Sequence, residues 1–286
     1  MVKEETLAQL NMFMIFIVAN LLALVLMPAY MIYEGSMGSE ENNPWIAVFY
    51  VLYIIGITAV ILFVAKKNKI GLLKGIFYFA VVWSMWYALF PIFYYFSIPA
   101  SDLISLILAI LLTVLVIKNP EWYMMNITGT LMAVGIALIV GMSFGLVPII
   151  LFLALLAIYD AISVYKTKHM VTLADNVIEH NLPALFVVPA KSDYTYKNAE
   201  GIKKKVQKTK ERDAYYMGFG DVMIPGIMVV GAARMFGLTA GIFTLVGAVC
   251  SMTLLNIMVN SGKPQPGLPY LNAGSLAGLL VYLLLF

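Results

Sequence analysis

The chain has 286 residues, 62% of them hydrophobic and 12% charged, whereas soluble globular domains hold about 45–50% and about 25%. One cysteine and two histidines exclude an intramolecular disulfide framework and leave little for a metal cluster. A net charge of +3 is too mild to argue for nucleic acid.

Crossing the roughly 30 Å of a bilayer's hydrocarbon takes about 20 apolar residues in a helix, since only helices and closed barrels satisfy the backbone there. Nine segments meet this demand, at about 9–33, 45–64, 76–96, 102–117, 124–142, 146–165, 214–233, 238–258 and 267–286. The expected fold class is an all-α polytopic membrane protein forming one domain over residues 1–286. Spans one to six fill 1–165, a long loop fills 166–213, and spans seven to nine fill 214–286. The first segment is too long for a signal-peptide core and lacks an A-x-A exit, so it is expected to be a retained helix. No internal repeat of 20–50 residues is visible.

On this layout Lys3, the group Lys66, Lys67, Lys69 and Lys74, then Lys118, every base from Lys166 to Arg212, and Lys263 share one side of the membrane. Only Arg234 is opposed. The positive-inside rule then places the N-terminus and the long loop in the cytoplasm and the C-terminus outside. Residues 34–43, with acids and no bases, face outward. A missed or invented helix would have scattered the later lysines over both sides, so the charges also check the span count. The expected location is the cell membrane, with multiple passes.

Within the long loop, residues 170–182 place Val171, Ala174, Val177, Ile178 and Leu182 on one helical face and Asp175 and Glu179 on another, the pattern of an interfacial helix. The lysine-rich run 203–210 reads as a solvated segment near anionic headgroups. Asp175, Glu179 and His180 read as a solvated helix face rather than a metal site, and neither metal nor cofactor is expected.

All but two of the fifteen acids lie in loops or at span ends. The exceptions are Asp160 in span six and Asp221 in span seven. A carboxylate in hydrocarbon costs at least about 2.5 kcal/mol on insertion scales, and such groups usually line a pathway, pair with a partner or do chemistry. No lysine, arginine or histidine accompanies these two inside the spans, which argues against a structural ion pair. Asp160 lies about five residues from the cytoplasmic end of its span and Asp221 about seven, so both sit roughly 8–10 Å below one surface at 1.5 Å per residue. Two carboxyls meeting in that layer cannot easily both ionise and would share a proton. An aspartyl protease needs that arrangement: the ionised member takes a proton from an attacking water while the protonated member supports the developing oxyanion.

Gly218 and Gly220 flank Phe219 just before Asp221, leaving room for close backbone approach. Pro225 and Gly226 follow one turn later and would loosen span seven. Near the start of the last span, Pro266 and Pro269 bracket Gly267 and Leu268. These prolines are expected to keep the stretch from starting a regular helix, leaving backbone to pair with an extended peptide.

Together, Tyr159-Asp160, Gly218-Phe219-Gly220-Asp221 and Pro266-Gly267-Leu268-Pro269 resemble the YD, GxGD and PAL motifs of the presenilin and signal peptide peptidase family. The resemblance also covers the nine-span layout and the long loop between the two acids. It implies an intramembrane aspartyl endopeptidase that hydrolyses peptide bonds within transmembrane helices. Asp160 and Asp221 would be catalytic, Pro266, Gly267, Leu268 and Pro269 substrate-binding, and Tyr159, Gly218, Phe219 and Gly220 would shape the site. Expected partners are transmembrane proteins or peptides and membrane lipid, with self-association open and nucleic acid absent. The cytoplasmic N-terminus resembles presenilin rather than signal peptide peptidase, and the length suits a minimal archaeal-type homologue. One departure is the glycine at 267 in place of the family's alanine, which is expected to loosen the motif. A literal Pro183-Ala184-Leu185 lies in the long loop, but in the family the motif follows the second aspartate, which favours 266–268.

Other motifs carry less. Gly141-Met142-Ser143-Phe144-Gly145 matches G-x-S-x-G, but Ser143 falls near the external surface, a membrane thickness from His169 and His180. Asn126-Ile127-Thr128 has the glycosylation form yet lies at a cytoplasmic span end. An ion or solute transporter or channel using the two acids is the main alternative, and it gives no reason for the Pro-Gly-Leu-Pro element. A prepilin-type peptidase would carry a basic continuation after the acid, where Val222-Met223-Ile224-Pro225 stands.

Overall fold

The computed structural model describes residues 2–34, 43–67, 69–167, 177–178, 182–190, 194–196, 214–259 and 265–286. Its elements in chain order are helices α1 (Val2–Glu34), α2 (Pro44–Lys66), α3 (Ile70–Tyr95), α4 (Ser101–Lys118), α5 (Trp122–Ser143) and α6 (Leu146–Ile162), which runs on into a π turn, Ser163–Thr167. Strands β1 (Leu185–Pro189) and β2 (Ala214–Gly218) come next, then helices α7 (Phe219–Phe236), α8 (Leu238–Val259) and α9 (Gly267–Leu285). Among the described residues, nine helices are long and apolar enough to cross a membrane, and they follow the expected spans in order.

The seventh span departs from expectation at its start. Residues 214–218 form a strand, so the helix begins at Phe219 rather than at 214. Ala-Tyr-Tyr-Met-Gly is apolar enough to pass for helix by hydropathy, but its aromatic pair suits a pleated, half-buried surface. What decides the matter is a distant partner: β2 pairs antiparallel with β1, from Leu185 opposite Gly218 to Pro189 opposite Ala214.

The acidic segment between α1 and α2, the lysine run 203–210, Lys263, and Asp175, Glu179, His169 and His180 lie outside the described residues. Of the expected interfacial helix at 170–182, Val177, Ile178 and Leu182 are described, and all three are buried. Val177 and Leu182 pack with Val64 of α2 and Leu73 of α3, so this apolar edge turns into the protein.

Helix α7 forms the centre of the bundle. Ile224 through Ala233 are buried without interruption, as befits a helix that is apolar all round, and α1, α5, α6, α8 and α9 all pack on it. The outer helices use the bilayer instead, with Trp45, Phe49 and Leu52 of α2 exposed. Buried hydroxyls bond back to carbonyls one turn earlier: Thr244 Oγ1 to Ala240 O and Thr113 Oγ1 to Ala109 O, both at 2.8 Å. Ser143 does the same, donating to Ile139 O at 2.7 Å, which supplies its hydroxyl with a structural role. Arg234, in the last turn of α7, donates from Nη2 to Phe144 O at 2.8 Å. Its position follows from capping the carbonyl end of α5.

Helices α8 and α9 make the most intimate contact in the fold. A Cβ on Gly247 would fall on the Gly274 carbonyl and 2.8 Å from Gly278 N, and one on Gly278 would meet the Phe243 carbonyl. Small residues spaced four apart let two backbones touch where no hydrophobic force between helices operates. This contact holds α9, and hence the motif at its start, against the core. Gly278→Leu is therefore expected to lower the melting temperature in detergent, at a cost of about 1–3 kcal/mol from overpacking, measured by thermal unfolding. Leu at the lipid-facing position Val281 is the matched control.

Candidate active site

Asp160 lies two residues before the end of α6 and is 5% exposed. The π turn follows it directly, a local widening that is common at functional sites, and buried Ser163 donates to the Asp160 carbonyl at 2.9 Å. Because α7 begins at Phe219, Asp221 is not seven residues into its helix as the sequence suggests. It is the third residue, in the first turn, with Gly218 as the N-cap. Both acids thus occupy the same end of the bundle, one at a helix C-terminus and the other at an N-terminus.

The first turn of α9 joins them. Leu268 donates its backbone N–H to Asp160 Oδ2 at 3.1 Å. Its neighbour Gly267 packs against the other acid, so closely that a Cβ there would stand 2.7 Å from Asp221 Oδ1. A Cβ on Gly218 would stand 3.4 Å from Asp221 Oδ2, so two glycines sandwich this carboxyl. Gly220 meets only ordinary packing, with Ile224 Cδ1 at 3.6 Å from a built Cβ. Phe219 is an anchor: it is buried, its ring lies 4.7 Å from that of Phe186 at 61°, and a Cβ on Gly129 of α5 would strike it. Tyr159 is half-buried on the flank of α6.

The expected irregular stretch at 266–269 is instead a helix start. Pro266 is the extended N-cap, and Gly267, Leu268 and Pro269 form the first turn. Proline is tolerated there because the first-turn N–H groups have no intrahelical partner. The same fact frees Leu268 N–H for Asp160. Two helix N-termini, those of α7 and α9, therefore converge on the two acids, and their partial positive charge favours anionic charge between them. Two carboxyls brought to one site can in principle divide the roles of general acid and general base between them.

The family model for "signal-peptide peptidase, presenilin aspartyl protease" matches residues 13–286. The chain belongs to that family. Two solved structures of a presenilin family intramembrane aspartate protease are similar throughout. The one in space group C222 has 26% identity and a TM-score of 0.69, covering 97% of this chain and 99% of that one. The one in space group P2 has 27% identity and a TM-score of 0.70, covering 97% and 98%. No curated protein matches the chain. The protein is an intramembrane aspartic endopeptidase of the presenilin and signal peptide peptidase family.

Residues set aside on sequence grounds, or without a signal there, frame this end of the bundle. Val187 of β1 donates its backbone N–H to Asn126 Oδ1 and accepts from Asn126 Nδ2 at its carbonyl, each at 2.8 Å. The glycosylation-like motif is thus a clamp on the outer edge of β1. The loop copy of the family motif, Pro183-Ala184-Leu185, also has a place: Ala184 O accepts the Phe219 N–H at 3.4 Å and Leu185 pairs with Gly218. Above the acids, Tyr165 of the π turn donates to Gln265 Oε1 at 2.7 Å, fastening the end of α6 to the chain that enters α9.

In this presenilin-family chain the glycine at 267 leaves the Asp221 carboxyl room to approach the motif, because a Cβ there would stand 2.7 Å from Asp221 Oδ1. Gly267→Ala must displace the Asp221 carboxyl. It is expected to lower kcat by about two- to fivefold, because the carboxyl at the end of its flexible side chain can give way by a fraction of an ångström, with KM little changed. Steady-state cleavage of a detergent-solubilised substrate measures both constants.

Proposed function

We propose that Asp160 and Asp221 are the catalytic pair and that they hydrolyse a peptide bond in an unwound stretch of a transmembrane helix. The observation that carries this reading is their shared contact with one helix turn, Leu268 on Asp160 and Gly267 on Asp221. The ionised carboxyl takes a proton from water as its oxygen attacks the scissile carbonyl. The protonated carboxyl gives its proton to the carbonyl oxygen, forming a neutral tetrahedral diol. Collapse of the diol breaks the C–N bond, returns one proton to a carboxylate and delivers another to the leaving amine, which restores the singly protonated pair.

A helical peptide bond is shielded by its own hydrogen bonds and side chains, so the substrate must be extended before attack. The two-stranded sheet supports such a step. Asn126 occupies the far edge of β1, so an extended peptide adding to this sheet does so alongside β2, whose chain runs directly into Asp221. We place Pro266, Gly267, Leu268 and Pro269 on the opposite wall of the site and assign Tyr159, Gly218, Phe219 and Gly220 to shaping it. The distribution of lysines supports a cytoplasmic N-terminus and long loop, with the aspartates near the cytoplasmic face. Water then reaches them from that side.

The test is cleavage of a tagged single-span substrate in liposomes by the wild type, Asp160→Ala and Asp221→Ala. Each substitution is expected to abolish product to at least about a 10²–10⁴-fold deficit, and the wild-type kcat should show a bell-shaped pH dependence, as an acid and a base acting together require. Cleavage surviving both substitutions would overturn the assignment.

A further inference from the structure

Asn272 lies in α9, one turn beyond Leu268, and is 2% exposed. Its Nδ2 donates to the backbone carbonyl of Leu153 in α6 at 2.9 Å. A carbonyl can only accept, which fixes the orientation of the amide and turns Oδ1 the other way. That Oδ1 is buried with no hydrogen-bond partner. Leu153 and Asp160 are seven residues apart, two turns along one face of α6, and Leu268 and Asn272 are four apart on one face of α9. The seam between these antiparallel helices thus has two polar fasteners: Leu268 N–H to the Asp160 carboxyl, and the Asn272 amide to the Leu153 carbonyl deeper in the membrane.

Stability alone would favour an apolar residue at this place. A leucine would fill it without stranding an acceptor, and a buried unsatisfied polar group is destabilising. The Leu153 carbonyl does not need the extra donor, since it lies inside a regular helix. What the amide adds is direction. An apolar seam lets two helices slide along or rotate against each other, whereas a buried polar contact fixes register, the best-attested use of such groups. In this seam register is chemistry, because a slip of α9 withdraws the Leu268 N–H from Asp160 and moves Gly267 off Asp221.

We propose that Asn272 is a positioning residue that pins α9 to α6 in the one register that holds Leu268 and Gly267 against the two carboxyls. The proposal rests on the assignment of Asp160 and Asp221 as the catalytic pair. Among the described residues, the buried Ser275 on the same helix bonds back to the Asn272 carbonyl, at 2.9 Å, a contact within its own helix that does not share the task.

The experiment compares full-length wild type, Asn272→Leu, Asn272→Gln and Asp160→Ala in detergent, reading melting temperature, kcat, KM and the pH profile of kcat. Asn272→Leu is expected to melt at or above the wild-type temperature, to lose at least tenfold in kcat with KM within about twofold, and to displace the pH profile because the Asp160 carboxyl has lost its fixed donor. Asn272→Gln, which keeps a donor on a longer arm, is expected to recover part of the rate. A folded Asn272→Leu with wild-type kcat and pH profile would overturn the proposal. So would a fall in kcat matched by a fall in melting temperature and left uncorrected by Asn272→Gln, which marks a merely structural role. Activity persisting in Asp160→Ala would show that the catalytic assignment had failed instead.

Discussion

A carboxyl group inside a membrane protein has to be given polar company, and here that company is the unpaired end of a helix. The first turn of any α-helix has N–H groups with no internal acceptor, and in hydrocarbon these groups are as much a liability as the carboxyls. The structure sets one against the other. Leu268 N–H meets Asp160, and the start of α7 carries Asp221 in its own first turn. Each part would be costly alone, and together they leave a compact polar site. The rest of the bundle serves to hold three helix ends at a common level.

That requirement explains where the tightest packing occurs. The start of α9 can be held at the acids only if the whole helix is immobile along its axis. Glycines on both sides of the α8–α9 contact bring the backbones together, and the Asn272 amide fixes α9 against α6. Helix α7 is enclosed by five others, while α2 is largely lipid-facing. The end that bears the two aspartates is therefore carried on the most enclosed helix, with the less enclosed helices at the periphery. The Tyr165–Gln265 bond closes the same region from above, on a π turn whose widened geometry is easier to rearrange than regular helix.

Much of this was legible in the residues because hydropathy and charge are local quantities. Each span declares itself by its own composition, and Asp160 and Asp221 stand out since a charge in a 20-residue apolar run has few innocent readings. What escaped was set by distant partners. Residues 214–218 look like the start of span seven until β1, separated from them by a long loop, supplies a strand to pair with. Asn126 and Asn272 are uncharged and read as ordinary polar residues in spans, yet each gives its amide to a backbone group 61 or 119 positions away. Pro269 on its own suggests a helix break, yet a proline in the first turn removes no bond the helix would have made. Gly267 looked like a source of slack because the carboxyl that occupies the missing side chain's place lies on another helix.

The central claim is that the first turn of α9 is pressed against Asp221, and this can be measured without relying on activity. A Cβ on residue 267 would stand 3.1 Å from Asp221 Cγ, close to the separation a disulfide demands between one Cβ and the opposite sulfur. In a chain whose one native thiol is removed by Cys250→Ser, Gly267→Cys combined with Asp221→Cys should oxidise rapidly to an intramolecular disulfide under mild conditions in the membrane. Mass spectrometry of the bridged peptides would show it as the loss of two hydrogens. Thiols that remain free under oxidant, in a variant shown to be folded by its thermal unfolding transition, would contradict the account.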